Sequence, residues 1–539
     1  YANRYRAYRQ RRKCREDEPR YMKEKYILAH DVGTSGNKAA LVRLDTTLVG
    51  STTAEYCVHY PKRGCAEQSP SDWWNAVVTT TRELLDSTGT KPSDIAGLVF
   101  SAQMAGTLPV DEKGEALMPC MIWLDTRASE QAKKIWSGVI KVSGYSVFTL
   151  LRFLRITGGA PGLAGKDGIS KILWLKENEP DIYSEAFKFL DSKDYLLYKC
   201  TGNFVTSRDN ANITWLMDTR TERLCWSDSI LKKYGIHREK LPEIKKSTEL
   251  AGRLTAEAAE DLGLSEGTPI VVGAGDITSA AIGSGAVAEN QIHAYVGTSS
   301  WVACHTSRRK KDVRHYVGSI CSANPDMYLC VAEQETAGAC LDWVKAQMFK
   351  ENVKEVYELF DRMAADVESG SRGLIFTPWL FGERAPLDDP TVRGGFHNLS
   401  LEHLSGHVVR AVLEGVAFNM KWALYYLEKL TQRAEAINMI GGGPLSRTWC
   451  QIFADVLDRR IKQVHDPKEA GAKGAAIIAA VTLGYIKRFE DAEKLVRVDK
   501  VFEPNPKNVK LYGGIFKEFK NIYKNNRQMY RRLNSGKSL

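Results

Sequence analysis

The residues best equipped for chemistry lie in two turns of nearly the same spelling. One is Asp31-Val32-Gly33-Thr34-Ser35, after the apolar run Tyr26-Ile27-Leu28-Ala29. The other is Gly297-Thr298-Ser299, after Ile292-His293-Ala294-Tyr295-Val296. Glycine lets backbone N–H groups come close to an anion, and the hydroxyls add donors. A single Gly-Thr-Ser is ordinarily a hairpin turn. Built once in each half, it can hold a polyphosphate from both sides. A carboxylate beside such a cradle repels phosphate unless a cation lies between them, so Asp31 points to Mg²⁺; an Asx-turn acid is the alternative. Asp276 closes the run Pro269–Gly275, where an acid is placed to accept a hydroxyl proton. It also fits the N-cap of a helix over 277–282, and the two roles are compatible. Gly441-Gly442-Gly443 follows an apolar run and suits a flat ring lying against the backbone.

The elements that must position these residues read as α/β. Residues 26–31 and 38–44 form a hairpin. A helix opens at Ser71-Asp72-Trp73-Trp74, capped by Ser71 or Asp72. A buried strand, Ile95–Phe100, leads into Ser101–Gly106, a shorter run covers Cys120–Trp123, and the glycine-rich stretch Thr157–Gly168 is a loop. A second cycle starts near Thr268, with a hairpin over 292–296 and 301–305. A strand at Ile437–Ile440 is followed by a helix from about Ser446. Gly471-Ala472-Lys473-Gly474 reads as a small-residue helix face for close packing. Tyr512, Ile515, Phe516, Phe519, Ile522 and Tyr523 fall on one face of a final helix. Strands alternating with helices argue layered α/β domains. Residues 22–267 and 268–516 form two of them, abutting across a cleft. A basic helix or tail follows at 517–539, and 1–21 is a charged, disordered extension ahead of Met22.

Composition narrows the function classes. The net charge is +10 over 539 residues. Residues 1–21 hold eight basic and three acidic side chains, and 517–539 hold seven and one, so the body between them is near neutral. A nucleic-acid groove needs its charge on the folded body, so no nucleic-acid partner is expected. No apolar run approaches the roughly 18 residues of a membrane span, so no membrane partner is expected either. The eleven cysteines are scattered without Cys-x-x-Cys or metal spacing, which places the chain in a reducing cytoplasm. There is no Gly-x-x-x-x-Gly-Lys-Ser/Thr loop, no strand-borne Gly-x-Gly-x-x-Gly, no His-Glu-x-x-His and no Gly-x-Ser-x-Gly elbow.

The ordered set Asp31-x-Gly-Thr-Ser, Gln103-Met104, Trp123 with Asp125 and Arg127, Gly-x-Gly-Asp276, Gly297-Thr-Ser, Gly382-Glu383-Arg384-Ala-Pro386 and Gly441-Gly-Gly resembles the FGGY carbohydrate kinases. The xylulokinase branch is the most similar, over about residues 26–490. Lys171-Ile-Leu-Trp174-Leu is similar to part of one family signature, with Gly168 where Pro, Ser or Thr is expected. Gly394-x-Phe396 through Glu414 is similar to the other, with Asn398 where glycine is usual. The resemblance implies two ribonuclease-H-like domains, of the actin and hexokinase ATPase type, flanking a catalytic cleft that closes over ATP and a sugar. By position it implies Asp276 as general base and Asp31 as the Mg²⁺ residue. Gly33, Thr34, Ser35, Gly297 and Thr298 would serve the phosphates, and Gly441, Gly442 and Gly443 the adenosine. Gln103, Met104, Ala105, Trp123 and Asp276 would line the sugar pocket, while Glu383 and Arg384 would hold a loop. The family usually has histidine at Ala105 and asparagine at Ile277, which leaves the sugar's identity open. The expected activity is ATP-dependent phosphorylation of a ketopentose such as xylulose or a related polyol, in a protein that admits a homodimer. An actin- or chaperone-like ATPase switch and a silent sugar sensor are the rival classes.

Overall fold

The computed structural model describes residues 25–142, 144–220, 222–348 and 355–534. The extension expected at 1–21 lies outside them. Two sheets dominate, and the elements that build the site are labelled here in chain order. The first half supplies β1 (Tyr26–Val32), β2 (Gly36–Arg43), β3 (Leu48–Glu55), α1 (Pro70–Thr88), β4 (Ile95–Ala102), β5 (Leu250–Arg253), β6 (Pro269–Gly275) and α2 (Asp276–Gly283). The second supplies β7 (Ile292–Val296), β8 (Ser300–Thr306), β9 (Gly318–Cys321), β10 (Tyr328–Gln334), α3 (Ser405–Leu430), β11 (Ala436–Gly441), α4 (Arg447–Leu457), β12 (Arg460–Val464), α5 (Ala470–Thr482), β13 (Val498–Phe502) and α6 (Pro506–Asn534).

The first sheet runs β5-β6-β4-β1-β2-β3 and the second β9-β10-β8-β7-β11-β12-β13. In each, an antiparallel meander (β1-β2-β3; β7-β8-β10) continues into two parallel strands (β4, β6; β11, β12). The repeated order is the two-domain ribonuclease-H-like plan. β1 is buried along nearly its whole length, as a strand covered on both faces must be, whereas β3 alternates half-buried and exposed residues at the edge.

Three boundaries differ from the sequence reading. Pro269–Gly275 pairs in parallel with β4, so it closes the first sheet rather than opening the second; its apolar run does not say which sheet it joins. α1 begins at Pro70, one residue before Ser71, with extended Ser69 as its N-cap and no side-chain cap bond. Proline is favoured at that first helical position because its missing N–H would have had no partner there. The loop after Thr157 ends at Asp167, and Gly168 is already helical. The final helix runs unbroken to Asn534. Tyr512, Phe519 and Tyr530 are buried in the second domain's core, with Ile515, Phe516, Ile522 and Tyr523 packed against it.

The halves are joined by α5, which leaves the second sheet and packs on β1, β4 and β6 of the first. It meets α2 face to face. A β-carbon on Gly474 would overlap the carbonyl of Ser279, and one on Gly283 would overlap that of Ala470. One apolar cluster therefore holds Ile27, Ala29, Val99 and Val271 from the first sheet beside Ile440, Val464, Ala475 and Ile478 from the second half.

Candidate active site between the two sheets

The first turn leaves β1 at its C-terminal end. Gly33 N donates to Gly36 O at 2.9 Å, and Tyr56 donates its hydroxyl to Gly33 O at 2.6 Å. Thr34 Oγ1 accepts from Trp123 Nε1 (2.9 Å) and donates to Gln103 Oε1 (3.2 Å). Gln103 Nε2 donates to Gln68 Oε1 (2.6 Å), and Gln68 Nε2 to Thr34 O (2.7 Å). The Thr34 hydroxyl and the buried Gln103 amide are thus spent within the protein and brace the turn. Ser35 remains exposed at its tip.

Two acids face this turn. Asp31 Oδ1 accepts from Ser101 Oγ at 2.8 Å. A β-carbon on Gly471 would overlap the Asp31 carboxylate, so the first turn of α5 rests on it. Burial raises the Asp31 pKa against the lowering effects of Ser101 and Lys38. Lys38 itself is held by Lys468 O at 2.8 Å and lies 3.8 Å from Glu469. Asp276 is the first residue of α2, with extended Gly275 as N-cap, and its Oδ1 accepts from Ile277 N at 2.8 Å. Burial, then the charge of Asp31, pushes the Asp276 carboxyl up to about 8. Buried Asp209 accepts from Gly275 N (2.7 Å) and from the Thr278 hydroxyl, fixing the turn that carries Asp276. Met104 lies on Gly275, where a β-carbon would overlap its thioether.

Asp31 and Asp276 oppose each other's ionisation, and the cation acting on Asp31 is already hydrogen-bonded elsewhere. No group of three or more His, Cys, Asp or Glu among the described residues could hold a metal. A few carboxylates completed by substrate phosphates is the donor set Mg²⁺ takes, so these residues fit it.

The Trp123 ring has Lys166 Nζ 5.7 Å from its centroid and Arg384 Cζ 6.0 Å away. Arg384 pairs with Glu333 and, through Nε at 2.6 Å, with Glu335. Buried Glu383 accepts from Glu335 N (3.1 Å), Arg384 N (2.8 Å) and Asn419 Nδ2 (2.5 Å). Glu383 and Arg384 therefore tie their loop to β10, and Arg384 also reaches the site. Ala105 has φ 66°. Its carbonyl accepts from buried Lys171 Nζ at 2.7 Å, and Lys171 also holds Met121 O (3.2 Å) and Ile122 O (2.7 Å).

In the second turn Gly297 N donates to Ser299 O (2.9 Å), Gly338 N to Gly297 O (2.7 Å) and Ala337 N to Thr298 O (2.8 Å). Gly441 has φ 94°, and a β-carbon there would lie 2.5 Å from Val296 O. Gly443 likewise packs on Val296, whereas Gly442 has only Lys468 Cε, at 3.9 Å, near it. Of the three glycines, Gly442 faces open space. A groove of about 450 Å³ on the outer face, lined by Trp422 and the lysines of α6, contains none of these residues. Sequence reasoning missed Lys166, Asp209 and Tyr295. Lys166 lay in a stretch read as loop, Asp209 carried no motif, and Tyr295 stood two places from the Gly297 motif.

The family description "FGGY family of carbohydrate kinases, N-terminal domain" matches residues 26–283, and its C-terminal counterpart matches 293–483. The xylulose kinase of Staphylococcus epidermidis is 31% identical over 94% of this chain and 98% of its own length. The ligand-bound crystal structure of xylulose kinase from Lactobacillus acidophilus matches with TM-score 0.85 at 28% identity, over 94% of this chain and 100% of that one. The crystal structure of gluconate kinase from the same organism matches with TM-score 0.84 at 28% identity, over 94% and 99%.

Proposed function

We propose that this chain, which belongs to the FGGY family of carbohydrate kinases, phosphorylates a ketopentose such as xylulose or a related polyol with ATP. The acceptor hydroxyl attacks the γ-phosphorus in line. The new O–P bond forms as the bond to the β,γ-bridging oxygen breaks, ADP departs, and Asp276 takes the hydroxyl proton. Asp31 holds Mg²⁺, which when bound neutralises charge on the phosphates. The glycine turns, closed by the N–H groups of Gly33 and Gly297, present the N–H groups of Thr34, Ser35 and Thr298 to phosphate oxygens from the two domains, and the adenosine lies by Gly442. Met104 and Trp123 wall the sugar pocket.

The observation that carries this reading is the Asp31–Asp276 pair, set between two Gly-Thr-Ser turns from opposite sheets and within reach of each other's charge. Asp276→Asn is the test. The amide is nearly isosteric but takes no proton, so ATP binding should persist while sugar-dependent ADP release falls by roughly 10²–10⁴. Undiminished turnover would reduce Asp276 to a helix-start residue.

A second acceptor class is favoured by Lys166. Its ammonium stands over Trp123 with no direct hydrogen bond or ion pair among the described residues, and burial lowers its pKa against the more distant attraction of Glu335, Asp167 and Glu333. A desolvated cation of this kind would bind the carboxylate of an aldonate. If it does, wild-type protein should turn over D-gluconate, and Lys166→Met should lose that activity while keeping any activity on D-xylulose. A gluconate rate unmoved by the substitution would exclude this reading.

A further inference from the structure

Tyr295 is the fourth residue of β7 and sits directly opposite Trp301 in the hairpin. The two rings stack with centroids 3.9 Å apart and planes 8° from parallel. Trp301 is anchored in turn, its Nε1 donating to His293 Nε2 at 3.1 Å. The tyrosine ring is therefore fixed by strand register and stacking, and its hydroxyl has one place to go. That place is the base of the second phosphate turn, since a β-carbon on Gly297 would overlap the phenolic oxygen. The charges of both Asp31 and Asp276 act on the hydroxyl there. It nevertheless makes no hydrogen bond among the described residues. A rigid, half-buried O–H at the base of the Gly297 turn, acted on by both acids and itself unpartnered, is shaped for a group that arrives with the substrates.

We infer that Tyr295 donates its phenolic hydrogen to an oxygen of the phosphoryl group in transfer, as a second catalytic residue beside Asp276; this rests on the kinase reading above. Burial, with the two acids adding to it, pushes the phenol up to about 12. The hydroxyl therefore stays protonated at neutral pH and acts as a donor rather than a base. No proton leaves it: the acceptor's proton goes to Asp276, the bridging oxygen leaves with ADP, and Tyr295 interacts only with charge on the equatorial oxygens. A preorganised donor aimed at such charge is worth most in the transition state.

Tyr295→Phe keeps the stacked ring and removes only the donor. In a sugar-dependent ADP-release assay, kcat should fall by about 10²-fold, with KM for ATP and sugar within about threefold of wild type. Calorimetric titration should give equal affinity for ADP with Mg²⁺ in the two proteins. ADP with Mg²⁺ and aluminium fluoride, which stands in for the phosphoryl group in flight, should bind at least tenfold more weakly to the variant. Unchanged kcat, or equal affinity for the fluoride complex, would overturn the inference and leave Tyr295 a packing residue. A wild-type protein that released no ADP with any sugar would fail the kinase reading instead, and the fluoride titration would still decide the role of Tyr295.

Discussion

A carboxyl held protonated to about pH 8 is a poor base at neutrality, so the environment of Asp276 has to change before it can work. The cause of the raised pKa says how. After burial, the charge of Asp31 contributes most, and a cation held by Asp31 would offset that repulsion. In chelated protein the same shift becomes a stability effect. The folded pKa lies above the unfolded value, so the folded state binds more protons between about pH 4 and pH 8. This contribution is fully present below pH 4 and is lost as pH rises through about 8. Wild-type protein in EDTA should therefore lose more Tm between pH 5 and 8.5 than Asp276→Asn does. Parallel Tm–pH curves would show that Asp276 titrates normally. Ala105 offers a second test at this scale. Its left-handed φ of 66° is one that histidine tolerates comparatively well, so Ala105→His should fold. The added imidazole should shift kcat/KM toward D-xylulose in a matched sugar panel. A variant with unaltered preference would place residue 105 outside the pocket.

Individual elements show what a sequence can disclose and what it hides. The two Gly-Thr-Ser turns were legible because each follows a strand whose apolar run is local. The small-residue face of α5 was legible for the same reason, and Gly474 does pack on α2. That Gly471 rests on Asp31 was not legible, because the two are brought together only when a helix of the second half crosses to the first sheet. Lys171 was visible as a signature residue, but its role of gathering three carbonyls depends on loops that meet in space. The two glycines of α5 should consequently respond differently to alanine. Gly474→Ala drives a methyl into the backbone of Ser279, which cannot swing aside, and should cost about 1–3 kcal/mol, read as a lowered Tm. Gly471→Ala meets a carboxylate that can rotate. It should leave Tm nearly unchanged and lower kcat/KM by at least tenfold through displaced Asp31. Equal Tm losses with full activity in both would mean α5 acts only as packing.

For the whole molecule, the repeated sheet order suggests two separable halves, but the packing argues otherwise. A ribonuclease-H-like sheet needs cover on both faces. One face of the first sheet is served by α1 and its tryptophans, Trp73 and Trp74. On the other, Ile27, Ala29, Val99, Val271 and Ala274 share a cluster with Ala472, Ala475, Ile477 and Ile478 of α5. α2 belongs to the first half but is too short, from Asp276 to Gly283, to cover that face alone. The fragment 22–291 would expose several large apolar residues contiguously, a patch of the kind that drives association. Expressed alone, it should be insoluble or oligomeric, and it should become soluble when co-expressed with residues 292–539, which supply α5. In the intact protein the shared cluster couples the halves, so calorimetry should show one unfolding transition rather than two. A monomeric, cooperatively melting fragment, or two resolved transitions in the full chain, would show that the cluster is a dispensable interface. The cleft would then join domains that fold independently, and closure over substrate would need no rearrangement around α5.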